Sequence, residues 1–135
     1  MRFLDTNVLL YRISTDPLEK DKARIAEEIL RQTELGLSVQ VLQEFYTQAT
    51  RANRAGALTH REALDLVRAW QRYPVQEITV PVMERAMEAR DQWGISYWDA
   101  AVIEAARELG CHEILSEDLS HGQNYRGIRI HNPFR

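Results

Sequence analysis

Apolar residues near the start of the chain fall into two rhythms. Arg2 to Leu4 is a short run of strand length, and Val8-Leu9-Leu10-Tyr11 then takes up helical spacing that ends near Ser14. Asp16-Pro17-Leu18-Glu19 supplies an N-cap, a proline at the first helical position and an acid in the first turn. This predicts a helix with an inner stripe of Ala23, Ala26, Ile29 and Leu30, and Gly36 near its end. Leu37 to Val39 is long enough only for a strand. From Gln40 onward Leu42, Phe45, Tyr46 and Ala49 return to helical spacing, and Glu44 lies about one turn in.

Thr59-His60-Arg61-Glu62 has the pattern of a capping box that opens a helix through Leu64, Val67 and Trp70, which Tyr73-Pro74 breaks. Glu77 to Val80 alternates as a third strand. Pro81 then starts a helix carrying Val82, Ala86, Ala89 and Trp93, closed by Gly94. Ser96-Tyr97-Trp98-Asp99 reads as another capping box, ahead of the most apolar helix, Ala100 to Leu109, which is expected to be central. Glu113 to Leu115 is a fourth strand, followed by Ser116-Glu117-Asp118. A polar loop, Ser120 to Arg126, leads to a last strand, Gly127 to Ile130. Strands alternating with helices give an α/β class with a mostly parallel central sheet and helices on both faces.

The 135 residues fit one domain, residues 1–135, with no linker composition and no repeat. No apolar stretch approaches a membrane span, and Met1 leads straight into a strand rather than a signal sequence, so a cytoplasmic protein is expected. The single cysteine, Cys111, excludes an internal disulfide and builds no thiolate metal site alone. A net charge of -3 argues against bulk nucleic-acid binding, so any RNA must be held locally. Of the 17 basic residues only Lys20 and Lys22 are lysine; Arg12, Arg51, Arg54 and Arg126 are phosphate contacts by residue type alone, and solvated arginine is the plainer reading of each.

The chemistry lies in the acids. Asp5 falls where the first strand ends, a costly place for a carboxylate unless a cation, a helix N-terminus or a metal accompanies it. Glu44, Asp99 and Asp118 recur at comparable junctions, and in a parallel sheet such junctions share the carboxyl edge of the strands. Four carboxylates drawn together repel unless a cation offsets them, and an all-oxygen set selects Mg²⁺ or Mn²⁺. Each also has a bland reading: Asp99 as a capping residue, Glu44 as a solvated helix position, Asp118 as a turn former. His121 is a phosphate contact, a substitute ligand or a surface-loop histidine. Tyr97 and Trp98 offer stacking faces for unpaired bases, whereas Tyr46 is more simply core.

Phe3-Leu4-Asp5-Thr6-Asn7-Val8-Leu9-Leu10-Tyr11, Val41-Leu42-Gln43-Glu44-Phe45-Tyr46, Ser96-Tyr97-Trp98-Asp99-Ala100-Ala101 and Leu115-Ser116-Glu117-Asp118-Leu119-Ser120-His121-Gly122-Gln123, with the closing Asn132-Pro133-Phe134, resemble the PIN-domain nucleases. Among these the chain looks most like the VapC-type ribonuclease toxins. The resemblance implies a three-layer α/β sandwich and Mg²⁺- or Mn²⁺-dependent endoribonuclease activity. Asp5, Glu44, Asp99 and Asp118 would be the acidic quartet, with Asn7 and Ser116 in support. It further implies a homodimer and a small VapB-like antitoxin whose C-terminal segment enters the cleft. Three other readings stay open: a PIN-family RNA-processing nuclease without an antitoxin, a regulatory α/β domain holding a structural cation, and a phosphoryl-aspartate enzyme using Asp5. The last is weakened because Asn7 stands where a second Asp is wanted.

Overall fold

The computed structural model describes all residues, 1–135. Six strands form the sheet: β1 (Arg2–Leu4), β2 (Leu35–Ser38), β3 (Val75–Gln76), β4 (Glu113–Leu115), β5 (Asn124–Tyr125) and β6 (Ile128–His131). Their order is β3-β2-β1-β4-β6-β5, parallel throughout except for the β5–β6 pair. Six helices accompany them: α1 (Thr6–Arg12), α2 (Lys20–Ile29), α3 (Val39–Ala49), α4 (His60–Trp70), α5 (Val80–Trp93) and α6 (Tyr97–Leu109). A 3₁₀ turn, Pro17–Glu19, precedes α2, so the Asp16-Pro17 signal starts a tight turn that runs into the helix.

Successive strand residues point to opposite faces of a sheet. Phe3 and Leu4 are both fully buried, as are Ile114 and Leu115, so the two central strands are covered on both sides. Helix α6 lies against β2, β3, β4 and β6 with α5 packed on it, while α1 packs on α2 and α3, and α3 on α4. Seven consecutive residues of α6, Ala100 to Ala106, are buried, which accounts for its apolar composition. One core of 27 buried residues joins sheet and helices, and Phe45 meets Trp70 edge-on at 4.8 Å within it. Cys111 is buried.

The third strand departs from expectation. It is Val75–Gln76, beside β2, whereas Thr79 is the N-cap of α5 and receives the Val82 N–H at 3.2 Å. The alternation from Glu77 to Val80 therefore marks a connection that runs into the first residue of α5, with Ile78 and Val80 exposed. Gly36 also differs: α2 stops at Ile29, and Gly36 sits inside β2, paired with Phe3. A Cβ there would lie 2.6 Å from Leu109 Cδ2 and 3.3 Å from both Cys111 Sγ and Met1 Sδ. Glycine is needed for this close approach of α6 to the sheet and has nothing to do with ending a helix.

The packing makes a direct prediction. Gly36→Val should destabilise the protein by about 1–3 kcal/mol, because the new side chain must push the end of the half-buried Leu109 aside and press on buried Cys111. Urea unfolding would show it as a lower midpoint at unchanged slope, and an unchanged midpoint would refute the steric account.

Candidate active site

Only Asp5 separates β1 from α1. Its N–H donates to the Leu115 carbonyl at 3.0 Å, which extends the β1–β4 pairing by one bond, and its Oδ1 caps α1 by accepting the Thr6 N–H at 2.8 Å. The Oδ2 atom faces the end of β4. It accepts the Ser116 hydroxyl at 2.7 Å and the Asn7 amide at 3.5 Å. Because β1 and β4 are parallel neighbours, the segments leaving them stand side by side at the carboxyl edge.

Asn7 joins those two segments. Its Nδ2 donates to Ser116 Oγ at 3.2 Å and Asp118 Oδ2 at 3.3 Å, and its Oδ1 accepts the Glu117 N–H at 3.1 Å. Ser116, fully buried, also receives the N–H groups of Asp118 and Leu119 at 3.2 Å each. Asn7 and Ser116 thus hold Asp118 next to Asp5.

Glu44 comes from α3, which Ser38 caps through the Val41 N–H at 3.2 Å. One turn before it, Gln40 donates from Nε2 to Glu44 Oε1 at 2.8 Å and to the Trp98 carbonyl at 3.2 Å. That amide ties Glu44 to the first turn of α6, where Asp99 stands. The expected capping box at Ser96 forms only by half. Ser96 Oγ receives the Asp99 N–H at 3.1 Å, but the Asp99 carboxylate makes no return bond, whereas Thr59 and Glu62 complete both halves at the start of α4. Asp99 is left free, as Asp is one methylene shorter than the usual Glu.

The electrostatics show how these acids relate. Burial lifts the Asp5 carboxyl from 3.8 to about 6; the hydrogen bonds from Ser116 and Thr6 oppose the rise, and the charges of Glu44 and Asp118 add to it. Asp99 lies to one side of this trio, and its charge, after burial, helps to raise the Tyr125 phenol. None of the four has a Lys or Arg nitrogen within 4.0 Å. Nor do any three Asp, Glu, His or Cys side chains close around a point where an ion could sit. The structure brings Asp5, Asn7, Ser116 and Asp118 into direct contact, adds Glu44 through its charge, and links Asp99 only through Gln40 and its helix. The donor chemistry nevertheless fits a hard divalent cation: oxygen ligands alone, one of them already strained by its neighbours' charge, and no protein cation to offset them.

One contact was not foreseen. Lys22 Nζ bonds Glu117 Oε2 at 2.6 Å and the Tyr11 hydroxyl at 3.2 Å, and Tyr11 donates to Glu117 Oε1. Burial pushes the Glu117 carboxyl up, but the bonds from Lys22 and Tyr11 outweigh it and leave the group below its usual range. The bonds that Lys22 makes to Glu117 and to the Tyr11 hydroxyl push its ammonium up to about 12. Phe134 meets the Tyr11 ring edge-on at 4.8 Å, so the tail braces the clamp. The sequence signal was slender: one of only two lysines, and an acid adjoining Asp118. His121 is engaged elsewhere, its Nδ1 accepting the Asn132 N–H at 3.0 Å. Tyr46 hydrogen-bonds His60, and Trp98, 65% exposed, meets Tyr97 edge-on at 4.9 Å.

A carboxyl whose folded pKa is raised favours folding when protonated. Its contribution is complete below pH 4 and is lost as the pH climbs through about 6, a difference on the order of 2–3 kcal/mol. Asp5→Asn, which keeps a capping oxygen, should therefore stabilise the metal-free protein at pH 7 in EDTA by on the order of 1–3 kcal/mol and change little at pH 4. Thermal unfolding at the two pH values measures this, and a destabilised variant at pH 7 would contradict it.

Comparison with known proteins bears on the family and the fold. The PIN domain family model matches residues 2–125. No curated protein sequence matches significantly. Among solved structures, a toxin–antitoxin complex from Klebsiella pneumoniae is 17% identical with a TM-score of 0.71, covering 98% of both chains. DNA-bound VapBC from Salmonella typhimurium is 20% identical with a TM-score of 0.67, covering 98% of this chain and 97% of that one. A sarcin–ricin-loop-cleaving VapC toxin of Mycobacterium tuberculosis is 22% identical with a TM-score of 0.66, covering 87% and 90%. With the model spanning all but the last strand and tail, and the acids standing at the carboxyl edge of a mostly parallel sheet, the chain belongs to the PIN-domain family.

Proposed function

We propose that this chain, acting as a single PIN domain, is a Mg²⁺- or Mn²⁺-dependent endoribonuclease and the toxin of a type II toxin–antitoxin pair in the cytoplasm. The observation that carries the reading is a carboxyl, Asp5, raised to about 6 chiefly by burial and further by the charges of Glu44 and Asp118, in a group of acids with no Lys or Arg nitrogen within 4.0 Å. No helix is long and apolar enough to cross a membrane. The similarity to a toxin described as cleaving the sarcin–ricin loop supports the RNA substrate, and the similarity to chains of toxin–antitoxin complexes supports a small VapB-like antitoxin. Exposed apolar side chains at Ile78, Val80 and Met87 support a homodimer.

Asp5, Glu44, Asp99 and Asp118 would hold the ion, which when bound supplies Lewis-acid stabilisation of phosphate charge and a more acidic water. Ser116 and Asn7 keep the Asp5 and Asp118 oxygens aimed into the cleft, and Gln40 orients Glu44 relative to α6. Water adds to phosphorus as the 3′-oxygen departs, leaving a 5′-phosphate and a 3′-hydroxyl.

Asp5→Asn and Asp99→Asn should each lower Mg²⁺-supported cleavage of single-stranded RNA by at least on the order of 100-fold, and Ser116→Ala by about 10- to 100-fold. Gel analysis of end-labelled RNA reads all three. Wild-type rates from Asp5→Asn, or unimpaired cleavage in EDTA, would overturn the mechanism.

A further inference from the structure

An acidic cleft on a protein of net charge -3 repels the RNA it is to cut, so some nearby cation must engage the strand. Asp118 and Asn7, which hydrogen-bond one another, line a cleft of about 210 Å³ together with Tyr11, Glu19, Arg54 and Glu117 among others. Two basic side chains stand near this cleft, and their situations differ. Lys22 is already committed to Glu117 and Tyr11. Arg54 makes no side-chain hydrogen bond and has no carboxylate within 4.0 Å.

The placement of Arg54 is built into the backbone. It lies in the α3–α4 connection, in a turn closed by the Arg54 N–H to the Arg51 carbonyl at 3.0 Å and the Ala57 N–H to the Arg54 carbonyl at 3.1 Å. Two residues on, Gly56 has φ +71°, and a Cβ there would lie 2.4 Å from Thr15 Oγ1. Only glycine lets this connection seat against the α1–α2 connection. Arg54 thereby also lines a second hollow, of about 400 Å³, with Ser14, Thr15, Asp16 and Pro17, and so stands at the boundary of the two. Of the other arginines marked by residue type, Arg12 and Arg51 are exposed and line neither hollow, and Arg126 lines a hollow between α5 and α6.

We infer that Arg54 binds a phosphate of the RNA strand adjacent to the one cleaved, and guides the strand from the acid cleft over the Gly56–Thr15 contact. This rests on reading the cleft as a nuclease site. Arg54 is a substrate-positioning residue: its planar fork suits a phosphate, and with no carboxylate to give up it meets the strand without losing an ion pair.

The test uses a labelled 12-nucleotide single-stranded RNA of mixed sequence and the full chain. With Mg²⁺, Arg54→Ala should raise KM about tenfold with kcat within about twofold, and flatten the slope of log kcat/KM against log salt by about 0.7, the loss of one phosphate contact. Arg54→Lys should restore the slope, and Gly56→Ala, with Arg54 chemically intact, should raise KM in the same direction. Binding is read separately by fluorescence anisotropy in the cleavage-silent Asp5→Asn background, where adding Arg54→Ala should weaken the RNA complex about tenfold. If RNA is cleaved but KM, slope and anisotropy all ignore Arg54, this inference fails and the nuclease reading stands. If wild type cleaves no RNA yet the anisotropy difference is found, the nuclease reading fails and the phosphate contact stands.

Discussion

The hydrogen bond from Ser116 to Asp5 is the contact on which the site depends. It crosses from the end of β4 to the end of β1, joining residues far apart in sequence at two neighbouring strands. Asn7 reinforces it from α1 by reaching Ser116 and Asp118 with one amide group and the Glu117 backbone with its carbonyl. Without these bonds the β4 loop would have no reason to bring a second carboxylate toward Asp5. With them, like charges are held near one another, and burial makes that proximity expensive.

The fold offsets this repulsion outside the cluster. Lys22 neutralises Glu117 rather than Asp118, so the loop is anchored by an ion pair one residue away from the acid that must stay free. Tyr11 and Phe134 extend that anchor to α1 and the tail. On the other side, Gln40 couples α3 to α6 through uncharged bonds, and Asp99 is left unbonded by its half-formed cap. Each device fixes backbone near an acid without supplying the acid itself with a counter-charge. That division is what a site kept for an external cation requires, and it places the local cost of the site where stability and activity are commonly in conflict.

Much of the scaffold could be read from the chain because local signals and tertiary packing agree. The capping box at Thr59–Glu62, the long apolar α6 and the strand–acid junction at Asp5 all stand where sequence placed them. The failures were positions where packing overrode a local pattern. Glu77 to Val80 alternates, but the residues that pair with β2 are Val75–Gln76, and Thr79 caps a helix that begins at Val80; Gly36 resembles a helix stop yet serves the approach of Leu109. In the site, residue types and junctions pointed to Asp5, Glu44, Asp99 and Asp118, but spacing along the chain carries no distances. The offset position of Asp99, the Lys22–Glu117–Tyr11 clamp and the Gln40 bridge arise from side chains converging across elements, which periodicity does not encode.

Crowded carboxylates of this kind are expected to hold a divalent ion. Calorimetric titration of Mn²⁺ into the metal-free protein at pH 7 tests it most directly. Saturable binding at a defined stoichiometry is expected, abolished by Asp118→Asn, and on repeating the titration near pH 6, where Asp5 is about half protonated, accompanied by proton release. Absence of saturable binding, or binding indifferent to Asp118, would contradict it.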